Sequence, residues 1–297
     1  MSLTDTQIKN LEEKAAAIRA SIIEMLVAAG SGHTAGPLGM ADVFTALYFH
    51  IVNHDPKNPD WANRDRIILS NGHITPVRYA TMAHAGYFPV EELLTLRKFG
   101  SRLQGHPERH ALPGLENTSG PLGSGLSQAI GVALGIRMDS KHPLTPSERG
   151  GTARPQVFCC MSDGELNEGN SWEAIMFAGK EKIGNLTAII DRNNIQIDGN
   201  TEDVMPLEPL ADKWKAFNWH VIEIDGHNFQ DIVDAVNLAK AVPEKPSVII
   251  ARTIPGKGIP EIEGDYKWHG TPPNKEQATA WLKQLRTLSG KIDASHY

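Results

Sequence analysis

The sequence predicts an α/β fold, a parallel sheet flanked by helices, on three observations. Five short strand-like runs, at residues 67–69, 157–161, 186–190, 220–224 and 248–251, stop at polar or glycine-containing stretches. Helical patterns alternate with them through the middle and end of the chain, the signature of βαβ units. No repeat, low-complexity tract or linker divides the chain, so a single domain is expected over residues 1–297.

Residues 5–29 place Ile8, Leu11, Ala15, Ile18, Ile22 and Leu26 three or four apart, with Thr4 and Gln7 as a capping box and Gly30 as the stop. One long amphipathic helix follows from that spacing. Residues 31–39, rich in Gly with His and Pro, read as a loop, and residues 40–49 resume a helical pattern. An Asp/Asn/Pro-rich loop at 53–66 leads into a short buried strand, Ile67-Ile68-Leu69, which ends at Ser70-Asn71-Gly72-His73. After a helical region at 89–99, residues 100–125 form a Gly/Pro/His-rich stretch longer than compact domains usually leave structureless, which marks it as a functional candidate. Residues 126–138 are small and apolar, as suits a helix packed tightly on a sheet. A strand at 157–161 stops at Ser162-Asp163-Gly164, a helix spans 167–182, and a strand at 186–190 stops at Asp191-Arg192-Asn193-Asn194. Strands at 220–224 and 248–251 flank a helix at 229–241, and a last helix covers 274–288. The Pro/Gly/charge cluster at 141–155 is expected to be an exposed excursion.

Composition narrows the partners. The chain has 297 residues, 40% hydrophobic, and its 29 Lys+Arg against 35 Asp+Glu leave a net charge of -6. Nucleic acid and anionic membrane both reward a positive surface, so small molecules or another protein are expected instead. No apolar run approaches the roughly 20 residues of a membrane helix, and the first residues lack a basic region followed by an apolar one. A cytoplasmic protein is expected. Cys159 and Cys160, the only cysteines, are adjacent in a strand-like run, so alternation points them to opposite sides as buried thiols in a reducing compartment.

In open parallel sheets, ligands bind outside the carboxyl ends of the strands. Asp163 and Asn193 both lie at such ends, thirty positions apart, and consecutive strands of a βαβ unit often neighbour one another. One hard carboxylate and one amide oxygen suit magnesium, which keeps waters and takes further ligands from phosphates; calcium or manganese are the substitutes. Gly164 lets backbone approach a diphosphate, and the helix after it offers a partly positive end.

An acidic residue with adjacent glycine, followed about thirty residues later by asparagine, resembles the thiamine diphosphate motif. Its surroundings narrow the resemblance. Ser162-Asp163-Gly164-Glu165-Leu166-Asn167-Glu168-Gly169, Trp172-Glu173-Ala174 and Asp191-Arg192-Asn193-Asn194-Ile195-Gln196-Ile197-Asp198-Gly199 are similar to the matching segments of transketolases. So are Ser31-Gly32-His33, Leu69-Ser70-Asn71-Gly72-His73, Gly105-His106-Pro107-Glu108 and Gly120-Pro121-Leu122-Gly123-Ser124-Gly125, in the family's order. The resemblance spans nearly the whole chain but only the amino-terminal, diphosphate-binding half of a transketolase, so the chain looks like the amino-terminal subunit of a split enzyme. The pyrimidine-binding and carboxy-terminal domains would then belong to a partner subunit, with two copies of each chain as the simplest assembly.

The resemblance implies that Asp163, the Asn193 side chain and the Ile195 carbonyl hold the metal, while Gly164 and His73 approach the diphosphate. Gly120 and Leu122 would meet the aminopyrimidine side through backbone atoms, and Glu168 would face the partner. His33, His106 and His269 would face the sugar, one of His33 and His269 exchanging the C3 hydroxyl proton and His106 holding the C1 hydroxyl; imidazoles suit this because they titrate near neutrality. Ser162 stands where the motif usually has glycine, and its hydroxyl can also bond phosphate. His50, His54, His84, His110, His142, His220 and His227 fall outside the matched segments and receive no role. Neither cysteines nor histidines show zinc-ligand spacing. Transfer of a two-carbon ketol unit from a ketose, a ketose phosphate foremost, to an aldose is the expected reaction. A synthase or decarboxylase subunit that acts on an α-keto acid and a non-catalytic cofactor-binding module are the alternatives, and the identity of the sugar is left open.

Overall fold

A computed structural model describes residues 2–139 and 155–288. The chain opens on α1 (Asp5–Ala29), where the Thr4 hydroxyl accepts from the Gln7 N–H, the Gln7 side chain accepts from the Thr4 N–H, and Gly30 closes the helix at φ 65°. The expected loop at 31–39 is instead helical from Ala35. It forms α2 (Ala35–Gly39), followed by α3 (Ala41–Ala46) and a wider turn at Leu47–Ile51. All five residues of α2 are buried, and its glycines serve packing rather than turning. A Cβ on Gly36 would lie 2.8 Å from the Ile74 side chain, and one on Gly39 2.9 Å from the Ile254 carbonyl.

β1 (Arg66–Leu69) and α4 (Thr75–His84) follow. The helix expected at 89–99 shrinks to a 3-10 turn, Val90–Thr95, because Pro89 enters it extended and Arg97 leaves in a left-handed conformation at φ 59°. α5 (Ser124–Asp139) begins where the glycine-rich run ends. Next come β2 (Val157–Ser162), α6 (Gly169–Glu181), β3 (Leu186–Arg192), and the short antiparallel pair β4 (Ile195–Gln196) and β5 (Gly199–Asn200). α7 (Thr201–Val204), α8 (Leu210–Ala216), β6 (His220–Asp225), α9 (Phe229–Lys240), β7 (Ser247–Arg252) and α10 (Lys275–Leu288) complete the described chain. The excursion expected at 141–155 lies, apart from Pro155, outside the described residues.

The sheet has the order β1-β2-β3-β7-β6, and every pair is parallel. Its central strands are buried on both faces, as helices packed on each side require. Phe158, Cys160, Ile189 and Ile249 join the core under α1, α4 and α9, whereas Cys159, Met161, Ile190 and Ile250 join the core under α5, α6 and α8. The adjacent free cysteines thus divide between the two layers, as alternation requires. Among the described residues no helix is long and apolar enough to cross a membrane.

The register fixes where chemistry can happen. Ser162 on β2 sits opposite Asp191 on β3, so both strands end at the same level and the residues after them share one edge.

Helical glycines test how tightly the layers close. A Cβ on Gly179 of α6 would lie 1.9 Å from the Phe217 carbonyl, while one on Gly131 of α5 would meet nothing within 4 Å. Gly179→Ala should therefore lower stability by about 1–3 kcal/mol through overpacking, and Gly131→Ala should raise it by about 0.5–1 kcal/mol through helix propensity. Urea unfolding midpoints moving in opposite directions would bear this out.

Candidate active site

Four loops converge above the carboxyl ends of β1, β2 and β3, and each reaches that place for a local reason. The first, between α1 and α2, carries His33. It is tied across the fold by the Thr34 hydroxyl donating to the Thr271 carbonyl at 2.6 Å. The second, after β1, makes a 3-10 turn at Gly72–Ile74 that carries His73. The third runs along the edge of β1, where the Asn117 side chain accepts from the Leu69 N–H and donates to the Leu69 carbonyl, both at 3.1 Å, in place of a strand partner. With the Ser119 hydroxyl on the Ser70 carbonyl at 3.0 Å, this brings His106, Gly120 and Leu122 over the site. The fourth carries His269, on a turn capped by Asp265 and anchored by Trp268 against Trp281 of α10, ring centroids 5.2 Å apart.

These loops enclose a cavity of about 330 Å³ lined by His33, His73, His106, Gly120, Leu122, Ser162, Gly164, Glu165, Ile195, Gln196, Ile197, Asp198 and His269. Nine of the twelve residues singled out from the sequence line it. Asp163 and Asn193 lie beneath, 0% and 6% exposed. Glu168 does not line it and is exposed where α6 begins. A 3-10 turn, Gly164–Asn167, stands between Gly164 and the helix expected over 167–182, which the structure has as α6 from Gly169.

Asp163 and Asn193 are brought to one place. The Asn194 N–H, one residue past Asn193, donates to Asp163 Oδ2 at 2.8 Å, and the Gly164 N–H donates to Oδ1 at 2.7 Å. Asn193 Nδ2 donates to Asp191 Oδ2 at 2.9 Å, which fixes the amide with its oxygen on the other side, accepting from the Ile195 N–H at 3.0 Å. Burial raises the Asp163 carboxyl above its ordinary range, opposed by the Arg192 guanidinium 3.0 Å away. Arg192 in turn holds Glu202 at 2.6 Å and Glu208 at 3.1 Å. Among the described residues no cluster of three His, Cys, Asp or Glu could hold a metal, so an ion here would draw on the carboxylate, the amide oxygen and backbone carbonyls. That hard-oxygen set fits magnesium. Gly164 also leaves the room that a diphosphate needs, since a Cβ there would meet nothing nearer than Gln196 at 3.5 Å; one on Gly120 would meet nothing within 4 Å.

The histidines form a contiguous group. Ring centroids lie 5.0 Å apart for His33 and His73, 5.1 Å for His73 and His269, and 5.4 Å for His33 and His269. Burial, reinforced by His269, His106 and Arg97, pushes His33 down to about 4. Burial also lowers His269, and His73 well below the usual histidine value, while His106 is lowered by burial and then by Arg97. The Nδ1 atoms of His33 and His269 are buried with no protein partner. Four neutral imidazoles around one cavity can accept and return protons and can bond hydroxyls.

The sequence reading missed Glu165, Gln196, Ile197 and Asp198 as lining residues, and Arg192 as the partner of Asp163. All five sit inside the segments 162–169 and 191–199, so proximity to the motif is the signal the sequence holds. His227, left without a role, is structural: its Nδ1 bonds Asp42 at 2.8 Å and its Nε2 accepts from the Ile254 N–H at 2.8 Å.

Residues 11–290 match the family described as transketolase, thiamine diphosphate binding domain. The chain is 42% identical over 283 residues to the 6-deoxy-6-sulfo-D-fructose transketolase subunit SqwG of Clostridium sp. (strain MSTE9), covering 95% of this chain and 98% of that one. It is 37% identical over 287 residues to an apulose-4-phosphate transketolase subunit of Phocaeicola vulgatus, covering 97% and 96%. The solved transketolase from Leishmania mexicana superposes with a TM-score of 0.87 at 33% identity, over 95% of this chain and 41% of that one. The chain thus spans nearly the full length of the two subunits and about two fifths of the longer transketolase.

The lowered histidines set a sign for stability against pH. Unfolded, His33 takes up a proton below about 6.5; folded, it stays neutral to about 4. The unfolded chain binds more protons between those values, so stability is full above pH 6.5 and declines as pH falls towards 4. Urea midpoints at pH 7.5, 6 and 5 should fall in that order, and less steeply in His33→Asn.

Proposed function

The chain belongs to the transketolase family through its thiamine diphosphate-binding domain, and on that footing we propose that residues 1–297 act as the diphosphate-binding subunit of a split transketolase. Its partner subunit carries the pyrimidine-binding and carboxy-terminal domains, and two copies of each complete the enzyme. Together they transfer a two-carbon ketol unit from a ketose to an aldose in the cytoplasm, where free adjacent thiols such as Cys159 and Cys160 stay reduced. The observation that carries this reading is the gathering of His33, His73, His106 and His269 in one cavity with Gly164 and Ile195, which stand one and two residues along the chain from the buried Asp163 and Asn193. Near-equal length with relatives named as subunits supports the division of domains. Those relatives are named for a sulfonated and a phosphorylated sugar, so a ketose phosphate is the first donor to test and a sulfonated ketose the second.

Asp163, the Asn193 side-chain oxygen and the Ile195 carbonyl hold magnesium, with calcium or manganese as substitutes. Gly164, Ser162 and His73 border the diphosphate, and Gly120 and Leu122 offer backbone to the aminopyrimidine. Bound thiamine diphosphate supplies the electron sink that side chains lack when a bond between C2 and C3 of a ketose breaks. The residues of this chain manage the hydroxyls around that event. His33 or His269, kept neutral by burial, takes the C3 hydroxyl proton and later returns it. His106, at the open side of the cavity, bonds the C1 hydroxyl of the donor. Desolvation keeps such a base neutral and strengthens every hydrogen bond made to substrate, and it lowers the proton affinity of the base in the empty cavity. Glu168, exposed at the start of α6, faces the partner.

The test uses the chain purified with its partner subunit. His106→Ala should lower ketol transfer by about 100-fold or more while calorimetry finds thiamine diphosphate affinity unchanged. Asp163→Asn should abolish magnesium-dependent uptake of thiamine diphosphate. Full transfer by the isolated chain, or turnover of pyruvate to carbon dioxide without ketol transfer, would overturn the reading.

A further inference from the structure

Glu165 is 0% exposed yet lines the cavity, and its carboxylate faces donors alone. Oε1 accepts from the Ser70 hydroxyl and from the Gly123 N–H at 3.0 Å. Oε2 accepts from the Ser162 N–H at 2.9 Å, with the Ser162 hydroxyl at 3.4 Å. Two of these partners, the N–H groups of Gly123 and Ser162, can only donate, and the Ser70 oxygen, which accepts from the Gly125 N–H at 3.1 Å, turns its proton to Glu165.

The partners come from three separate pieces of chain: Ser70 follows β1, Gly123 immediately precedes α5, and Ser162 ends β2. We propose that Glu165 is a positioning residue for the cofactor, a clasp that fixes the end of β1 and the glycine-rich loop against the end of β2 so that Gly120, Leu122, His73 and Gly164 stand at the cavity wall before anything binds. The proposal rests on the reading of the cavity as a thiamine diphosphate site.

Position distinguishes this role from simple core stabilisation. All three pieces that it joins contribute lining residues or their immediate neighbours, and Gly123 is held so closely that a Cβ there would lie 2.0 Å from Asn170 Oδ1. Ordering those loops in advance removes an entropic penalty from binding, so the clasp should act on cofactor affinity rather than on the rate once cofactor is bound. It also explains Ser162: its N–H is used by the clasp, and its hydroxyl adds a second, longer contact where glycine would add none.

The test uses the complex of this chain with its partner subunit. Glu165→Gln replaces one acceptor by an NH₂ group facing donors. Titration calorimetry should show thiamine diphosphate affinity falling tenfold or more, and the KM for cofactor should rise in parallel. The kcat at saturating cofactor should stay within threefold of wild type, and the thermal midpoint of the cofactor-free complex within a few degrees. Ser70→Ala, which removes only a hydroxyl, should weaken binding severalfold, and the double variant should lose less than the two effects added, because both act through one clasp. If Glu165→Gln does not fold, Ser70→Ala alone decides. Wild-type affinity in a folded variant, or a fall in kcat at saturation with cofactor affinity intact, overturns the proposal. Failure of the wild-type complex to bind thiamine diphosphate overturns instead the reading on which it rests.

Discussion

Three carboxylates, Asp163, Glu165 and Asp191, are fully buried at one end of the sheet, and the way each is satisfied determines how the loops above it must run. An unpaired carboxylate in that setting would cost several kcal/mol. Each therefore draws its donors from elsewhere in the chain. Asp163 takes the Arg192 guanidinium and the N–H groups of Gly164 and Asn194. Asp191, pushed up to about 7 by burial, takes the Thr253 hydroxyl beyond β7 and the Asn193 amide. Glu165 takes Ser70, Gly123 and Ser162. The parallel pairing of β1, β2, β3 and β7 brings these strand ends together, and the acids then bind the loops to one another. The rigidity of the site is in this sense electrostatic, built on a level edge that hydrogen-bonded strands provide.

Above that acidic layer the site changes character. The imidazoles of His33, His73 and His269 lie within 5.4 Å of one another, too close for more than one to carry charge readily, and Arg97 adds a further positive field to His33 and His106. A cavity with buried acids below and neutral bases around its wall has a floor that favours a cation and a wall that can exchange protons with hydroxyls. The division follows from burial, which penalises every charged form, and from which groups have donors within reach to offset it.

Much of this was legible before the structure. The capping box at Thr4 and Gln7, the strand at 157–161 and its stop at Asp163-Gly164, and the opposite placement of Cys159 and Cys160 follow from local spacing, and the fold keeps them. The convergence of Asp163 with the Asn193 region was legible too, because it needs only two adjacent parallel strands. What escaped was set by tertiary contact. Residues 35–39 read as loop because Gly and Pro commonly end helices, yet burial of the whole segment against Ile74 and Ile254 stabilises a helix that its propensities disfavour. Glu165 and Arg192 read as ordinary charged residues beside a motif. Glu165 reaches Ser70, 95 positions away, and Arg192 reaches Asp163, 29 positions away, contacts that local spacing does not announce.

Glycine shows the same limit and a way past it. The motif Gly120-Pro121-Leu122-Gly123-Ser124-Gly125 gives its three glycines equal weight in the sequence. In the fold they divide. A Cβ on Gly123 would collide with Asn170, and one on Gly125 would come within 2.5 Å of Ser70 Cα, so those two are demanded by the protein's own atoms. Gly120 faces open space within the lining of the cavity. Gly72, whose Cβ would lie 2.4 Å from the Ser119 hydroxyl, belongs with the first kind, and Gly164, with nothing nearer than 3.5 Å, belongs with the second. Packing accounts for Gly72, Gly123 and Gly125, whereas no contact within the folded chain accounts for Gly120 and Gly164, the two that line the cavity.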